Sequence, residues 1–400
     1  MGSQSPNADM RKVNRSAMLR LVAKHGQVSR SELCDYMGLT GAGISRISRD
    51  LIDSGMLLET AQESVSKGAG RRGSDLSLNP DGAYVLGITI TANRKSVTLV
   101  NCTQQVLGQW DCDAMDVCIP EKAIHSFCNA AHSLIEKSGI DRSKLLGAGI
   151  GLATTEKFLE NGNVTSPVLG WTNAPIEALF ETKLGLPVVI EARALAMLRA
   201  EVWAEKADNA EGTILINNGV GIGAAAYFGG RFIPTGGAGL GNISHLSLAD
   251  SAALCRCGRT GCLEYSGSGA AVLADVNGWS PNKLAVFSEL SGDLHNLVQK
   301  AQSGNARVER AFRNAGRRMG AGIDAIVALL APKRIILAGE TGRQPDFIEG
   351  VRMALSERKT PLSEDSLVVG QATSAQASSA IALEQFHLTR NLDLAHVSKG

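Results

Sequence analysis

Three cysteines lie within eight residues of this 400-residue chain, Cys255, Cys257 and Cys262, and His245 stands just upstream of them. Three thiolates and one imidazole complete a tetrahedral zinc shell, and a shell closed by four protein ligands is structural rather than catalytic. Gly258 and Gly261 allow the tight turns that bring three sulfurs onto one ion. A disulfide framework belongs instead to small exported chains. Here the first ten residues are polar, with no apolar signal core. The chain is therefore expected to stay in the cytoplasm, and the trio to hold Zn2+. The other five cysteines, Cys34, Cys102, Cys112, Cys118 and Cys128, read as buried or inert thiols. Apolar runs such as residues 323–331 stop well short of the about 20 residues a membrane span needs.

The length exceeds what one core usually serves, so two or three domains are expected. Residues 1–75 carry 11 Lys and Arg against 8 Asp and Glu, within a chain of net charge +1. A mildly basic head on a near-neutral body suits phosphate contacts at one end. In that head, Val13, Ala17, Leu21 and Val22 recur at helical spacing, and Gly26 stops the helix. Ser29 and Glu32 form a capping box for a second helix, with Leu33 and Met37 on its inner face and Gly38 closing it. Thr40 caps a third helix, whose apolar face is Ile44, Ile47 and Leu51. Two short helices joined by a Gly-containing turn are the sequence form of a helix-turn-helix.

Residues 56–60 and 76–78 read as paired strands, and the loop between them holds Lys67, Gly68, Gly70, Arg71, Arg72 and Gly73. That loop is a wing, and Arg71 and Arg72 suit entry into a narrow groove. The second helix of a helix-turn-helix lies in the major groove, which nominates Thr40, Ser45, Arg46 and Arg49 for DNA contact. Arg46 and Arg49 are either base readers or phosphate anchors, which position without specifying. The alternative for the whole head is a three-helix protein-interaction module.

From Tyr84 onward, strands and helices mix. Residues 85–91, 96–101, 146–152, 188–191, 213–217 and 335–338 read as strands, and residues 120–138 and 374–386 as helices. The body is therefore α/β. A polar tail from Arg390 is expected to be disordered.

The zinc motif, the segment Leu169-Gly170-Trp171-Thr172-Asn173 and the Gly70-Arg71-Arg72 wing resemble those of the ROK family of bacterial repressors and sugar kinases, over residues 10–388. The resemblance implies a two-lobed, actin-like (ribonuclease H-like) α/β fold with sugar held between the lobes, preceded by an N-terminal winged helix-turn-helix domain. The implied division gives residues 10–78 to the DNA-binding head and 79–190, with the helix at 374–388, to the first lobe. Residues 191–373 form the second lobe with the zinc site, and 389–400 a disordered tail.

The departures from that family carry chemistry. Family kinases open the first strand with an acid and a Gly-Gly-Thr loop, where this chain has Gly87-Ile88-Thr89-Ile90-Thr91-Ala92-Asn93. Their catalytic aspartate lies in an Asn-Asp-Ala-Asn segment, matched here by Glu191-Ala192-Arg193-Ala194-Leu195. The second phosphate loop reads Asn217-Asn218-Gly219-Val220-Gly221. Phosphoryl transfer needs a carboxylate to accept the sugar's proton, and a guanidinium cannot do so. Kinase activity is expected to be lost.

Of the sugar ligands the family implies, His245 and Glu264 survive, Asn242 stands where Glu is expected, and Asn173 also lines the cleft. Arg193 with Asn242 suits an acidic or phosphorylated sugar. Alternatively, Arg193 folds away into a salt bridge and the pocket is vestigial.

These residues predict a transcription repressor working as a homodimer or homotetramer on a palindromic double-stranded DNA operator. A sugar-type effector bound by Asn173, Arg193, Asn242, His245 and Glu264 would modulate it. The rival readings are a sugar kinase with an accessory head and a regulator controlled by a protein partner.

Overall fold

A computed structural model describes residues 6–61, 74–154, 159–166, 168–204, 210–234, 242–248, 254–255, 257–279 and 287–394. Helix α1 (Pro6–His25) ends at Gly26, where φ reaches 77°. Strand β1 (Gln27–Ser29) runs into α2 (Arg30–Met37), with the Ser29/Glu32 capping box formed as expected. Gly38 closes α2 in the left-handed region, and Thr40 caps α3 (Gly41–Asp53) by accepting from the Gly43 amide. Strands β2 (Leu57–Ala61) and β3 (Ser74–Leu78) pair antiparallel, and β1 joins the far edge of β3. Lys67, Arg71 and Arg72 of the expected wing lie outside the described residues.

Met18, Leu19, Val22, Leu33, Ile44, Ile47 and Leu51 form the head's core. Val13, grouped by spacing with Ala17, Leu21 and Val22 in the sequence, is exposed. The buried face of α1 runs from Val22 back through Leu19 and Met18, the i−3 and i−4 neighbours, which turns Val13 outward. Arg30 braces the unit: its guanidinium meets Glu59 and Ser74 at 2.7 Å and Ser48 at 3.3 Å, tying α2 to α3, β2 and β3.

In the body, β4 (Tyr84–Ile90), β5 (Lys95–Asn101) and β6 (Val106–Asp111) form an antiparallel meander. Helix α4 (Pro120–Ser138) precedes β7 (Leu145–Leu152), which lies parallel to β4. A small sheet follows from β8 (Leu159–Glu160), β9 (Asn163–Ser166) and β10 (Trp171–Ala174). Next come α5 (Ile176–Leu184) and β11 (Val188–Ala192), parallel to β7, then α6 (Arg193–Ala204). The sheet order is β11-β7-β4-β5-β6, with Phe127, Phe180 and Trp171 filling the core under α4 and α5.

The same pattern then repeats. Strands β12 (Thr213–Asn218), β13 (Ile222–Phe228) and β14 (Arg231–Pro234) are antiparallel. After α7 (Gly269–Asn277), α8 (Phe287–Gln302) and α9 (Ala306–Leu330), β15 (Arg334–Ala338) lies parallel to β12. A short α10 (Gly339–Gly342) and α11 (Pro345–Glu357) lead to β16 (Leu367–Val369), parallel to β15, and then α12 (Ser374–Ala382). The second sheet is ordered β14-β13-β12-β15-β16.

Helices α6 and α12 pack together through Ala194, Ala196, Ala200, Ala377 and Ala380. Small residues let α12 press onto the first sheet. A Cβ on Gly87 would lie 2.7 Å from the Ser379 amide, and one on Gly149 2.4 Å from the Ser378 carbonyl.

The C-terminal segment departs from expectation. Helix α12 gives way to a π-helical turn, Leu383–His387, and Ala382, Leu383 and Leu388 are buried in the head's core. Leu392 and Leu394, read as disordered tail, pack against that core, because these two leucines interrupt an otherwise polar segment. Residues 395–400 lie outside the described residues. Ser16 donates to the Leu388 carbonyl at 2.6 Å, and Arg20 pairs with Glu384. Among the lone cysteines, Cys102 and Cys128 are buried, whereas Cys118 is exposed because it lies in the loop before α4. No helix among the described residues is long and apolar enough to cross a membrane.

Candidate functional site: a helix face, a metal cluster and an arginine between two helix starts

Helix α3 buries Ile44, Ile47, Ser48 and Leu51, so Ser45, Arg46 and Arg49 must face outward, and all three are exposed together with Thr40. Three other head arginines are spent on structure: Arg15 pairs with Asp50, Arg20 with Glu384 and Arg30 with Glu59. Arg46 and Arg49 have no ion pair among the described residues. Gly41 and Gly43 leave the first turn bare. The Thr40 oxygen is engaged by the Gly43 amide at 3.3 Å, so the hydroxyl proton remains for an outside partner.

The four residues of the predicted metal shell come together. The ligand atoms of His245, Cys255, Cys257 and Cys262 all lie within 4.8 Å of one another. The Cys255 sulfur is 3.5 Å from His245 Nδ1, and the Cys257 and Cys262 sulfurs are 3.6 Å apart without a disulfide. A tetrahedron with metal–sulfur bonds of about 2.3 Å has edges of about 3.8 Å, so this donor set fits one ion. Gly258 at φ 86° and Gly261 at φ 75° make the turns, and the bridge between Ser247 and Cys262 joins the histidine arm to the cysteine arm. Burial pushes the Cys262 thiol up to about 12. At Cys257 burial acts the same way but is outweighed by hydrogen bonds from the Arg259 backbone and side chain and from the two other thiols, which bring it down to about 7.

Glu264 follows the cluster and is 2 % exposed. Its carboxylate accepts from the Ile222 amide at 3.2 Å and packs on Gly221, where a Cβ would come within 2.8 Å of it. Glu264 is thus a strut beneath the β12–β13 turn, while His245 aims Nδ1 at the cysteines. Asn242 is exposed and accepts from Ser244 at 2.6 Å. Asn173, also exposed, adopts φ 47° and accepts from Asn163 at 3.1 Å.

Arg193 opens α6 at the end of β11 and donates to Ser374 Oγ at 3.1 Å. Burial, then the Arg343 and Arg94 charges, lowers its guanidinium to about 10. Ala194 packs on Gly223, 3.4 Å from a Cβ built there, so the β12–β13 turn has Glu264 on one side and the start of α6 on the other. Glu191, the acid two residues before Arg193, is held in a fork by Arg199 at 2.7–3.0 Å.

Two participants carry no sequence signal: Ser374, and Arg343, which donates to the Ala372 carbonyl at 2.8 Å. Neither belongs to a motif, and both come to Arg193 only through the fold. A cavity of about 520 Å³ between α7 and α9, lined by Tyr265, Trp279, Asp275 and Arg318, was likewise unforeseen.

Comparison with known proteins places this architecture. The xylose repressor of Caldicellulosiruptor bescii is 24 % identical over 357 residues, covering 87 % of this chain and 88 % of its own. The Escherichia coli transcriptional dual regulator NagC is 24 % identical over 350 residues, covering 84 % and 83 %. The crystal structure of a ROK family transcriptional regulator, a homolog of the E. coli MLC protein, aligns with a TM-score of 0.73 at 22 % identity over 98 % of this chain and all of that one. A ROK family glucokinase from Streptomyces griseus, solved with glucose and AMPPNP, aligns at 0.59 and 22 % identity over 75 % of this chain and 99 % of its own. The body thus has the actin-like fold of that kinase, and the whole chain, head included, aligns with the regulator. The ROK family pattern matches residues 87–383, well over half of the sequence, and the chain belongs to the ROK family.

Proposed function

We propose that this protein is a DNA-binding transcription repressor, with a winged helix-turn-helix head on a kinase-like body that senses a sugar derivative and no longer transfers phosphate. Relatives aligned over more than four fifths of the chain include a xylose repressor and NagC. The observation that carries the reading is α12. One end meets Arg193 and Thr89, and the turn after its other end is buried in the head's core. Effector occupancy and head position are therefore mechanically joined, and linkage makes their coupling reciprocal. The head presents α3 to the major groove through Ser45, Arg46, Arg49 and the Thr40 hydroxyl, and the sequence adds Arg71 and Arg72, which lie outside the described residues. A homodimer or homotetramer would match a palindromic operator.

Zinc is the ion the three-sulfur, one-nitrogen set suits, and its role is structural: it fixes the loop on which Glu264 props the β12–β13 turn. Of the residues nominated for the effector, Asn173, Arg193 and Asn242 would contact it, while His245 and Glu264 would shape the site through the metal shell and the β12–β13 turn. The kinase reading is weaker because Arg193 stands where the family's acid is expected and Arg199 engages Glu191. Mixing the protein with ATP and a panel of hexoses should release no ADP above the protein-free blank. Measurable release would restore the kinase.

The test of the regulator is selection of fragmented genomic DNA on the purified protein at physiological salt. Enrichment of one or a few palindromic sites is expected, and sequence-blind binding alone would overturn the proposal. On the selected site, Arg46→Ala and Arg49→Ala should each weaken binding roughly 5- to 150-fold, as the loss of one arginine contact of about 1–3 kcal/mol implies. A base-reading arginine would relax preference at one position. A phosphate anchor would instead lower the salt dependence uniformly.

A further inference from the structure

The charges that bear on Arg193, those of Arg343 and Arg94, are both positive. Arg193 is the first residue of α6, at the end of the helix where a cation is disfavoured. Its hydrogen-bond partner, Ser374, is the first residue of α12, a second helix N-terminus. Arg343 attaches two residues earlier, at the Ala372 carbonyl, which brings a second guanidinium to the same β16–α12 connection.

The acids on neighbouring elements are committed elsewhere. Glu191 is forked by Arg199, and Glu201 accepts from the Ala372 amide at 2.7 Å. Glu340 is shared by His295 and Asn93, while Asp111 and Asp113 pair with Arg94. No ion pair to Arg193 occurs among the described residues. A guanidinium cannot escape its charge by deprotonating, so a partly buried one with no counter-ion is held at a cost that an anion would remove.

We infer that Arg193, Arg343, Ser374 and the N-termini of α6 and α12 form an oxyanion site, and that the effector is an anionic sugar derivative held there by its phosphate or carboxylate. This rests on the reading that the cleft takes an effector and adds the chemical class of that effector. Where a kinase needs an acid to accept a proton, this chain has a fork that clamps an anion bidentately. Because Ser374 opens α12, the anion would grip the element that runs to the head.

The experiment is calorimetric titration and thermal melting of the full-length protein with inorganic phosphate, glucose 6-phosphate, gluconate and glucose. Saturable binding and a raised melting temperature are expected with the phosphates or with gluconate, not with glucose alone. Stronger response to glucose 6-phosphate than to gluconate assigns a phosphate, and the reverse a carboxylate. Arg193→Met should weaken that binding roughly 10- to 100-fold, as expected for a lost charge-assisted contact. Without anion, Arg193→Met should melt no lower than wild type, because it removes a charge that lacks a partner. Arg317→Met, on a surface ion pair with Glu357, should bind as wild type.

Two results would overturn the inference. One is no saturable anion effect, or an equal one in Arg193→Met. The other is a melting temperature markedly lowered by Arg193→Met without anion, which would reveal an internal counter-ion. Genomic selection by the same preparation still reports on the regulator, so the two proposals fail separately.

Discussion

Cys257→Ser should lower the melting temperature of the second lobe by about 10 °C and abolish the response to effector, while the head still binds DNA. Of the three cysteines, Cys257 is the exposed one. An exposed thiol that merely packs would cost no more than about 0.5 kcal/mol on conversion to a hydroxyl. As one of four metal ligands it costs far more, because metal affinity is folding energy, and several kcal/mol translate into a shift of this size. The damage should spread along a defined route. The bridges Ser247–Cys262 and Leu254–Thr260 lose their clamp, and Glu264 then loses its fixed position beneath Ile222 and Gly221. Arg46 and Arg49 sit on a core built from other residues and should keep their DNA contacts. Excess chelator should produce the same shift in the wild type and none in the variant, with one zinc per wild-type chain by elemental analysis. Identical melting of the two proteins would eliminate the structural ion.

Features decided within a few residues were legible before the fold was known. The Ser29/Glu32 capping box, the left-handed Gly38, the Thr40 cap and the outward face of α3 are set by helix geometry alone. The metal set was legible because four ligands crowd one short stretch. What escaped depends on distant partners or on short, weakly patterned strands. β6 alternates between exposed and half-buried residues, and β14 and β16 are only four and three residues long, too brief for periodicity to register. The contact between Arg193 and Ser374 spans 181 residues, and no local pattern announces it. Loss of kinase acids was readable at Arg193, but the positive surroundings of that arginine were not. Likewise, the polar look of the tail concealed that Leu392 and Leu394 pack against the head's core.

That C-terminal junction carries the second large effect. His387, in the π-helical turn after α12, is fully buried, and neither ring nitrogen has a partner among the described residues. Burial alone pushes its pKa from 6.5 down to about 4. The sign follows from proton counts. Between pH 6.5 and 4 the unfolded chain binds a proton that the folded chain refuses, so stability falls as pH is lowered through that window. A displacement of this size is worth about 3 kcal/mol, fully present above pH 6.5 and lost by about pH 4. His387→Leu removes both the titration and two orphaned polar atoms. The variant should match or exceed the wild type at pH 7.5 and lead it by about 3 kcal/mol more at pH 4, measured by denaturant unfolding. Because Leu388 next door holds Ser16 of α1, and Glu384 holds Arg20, a charge forming at His387 should open the seam between head and body before either sheet unravels. Amides of α1 should then exchange faster at pH 5 than at pH 7, after correction for intrinsic rates, in the wild type but not in His387→Leu. Parallel pH profiles for the two proteins would mean that the imidazole is already satisfied. The junction would then be held by Leu383, Leu388 and the two polar contacts alone.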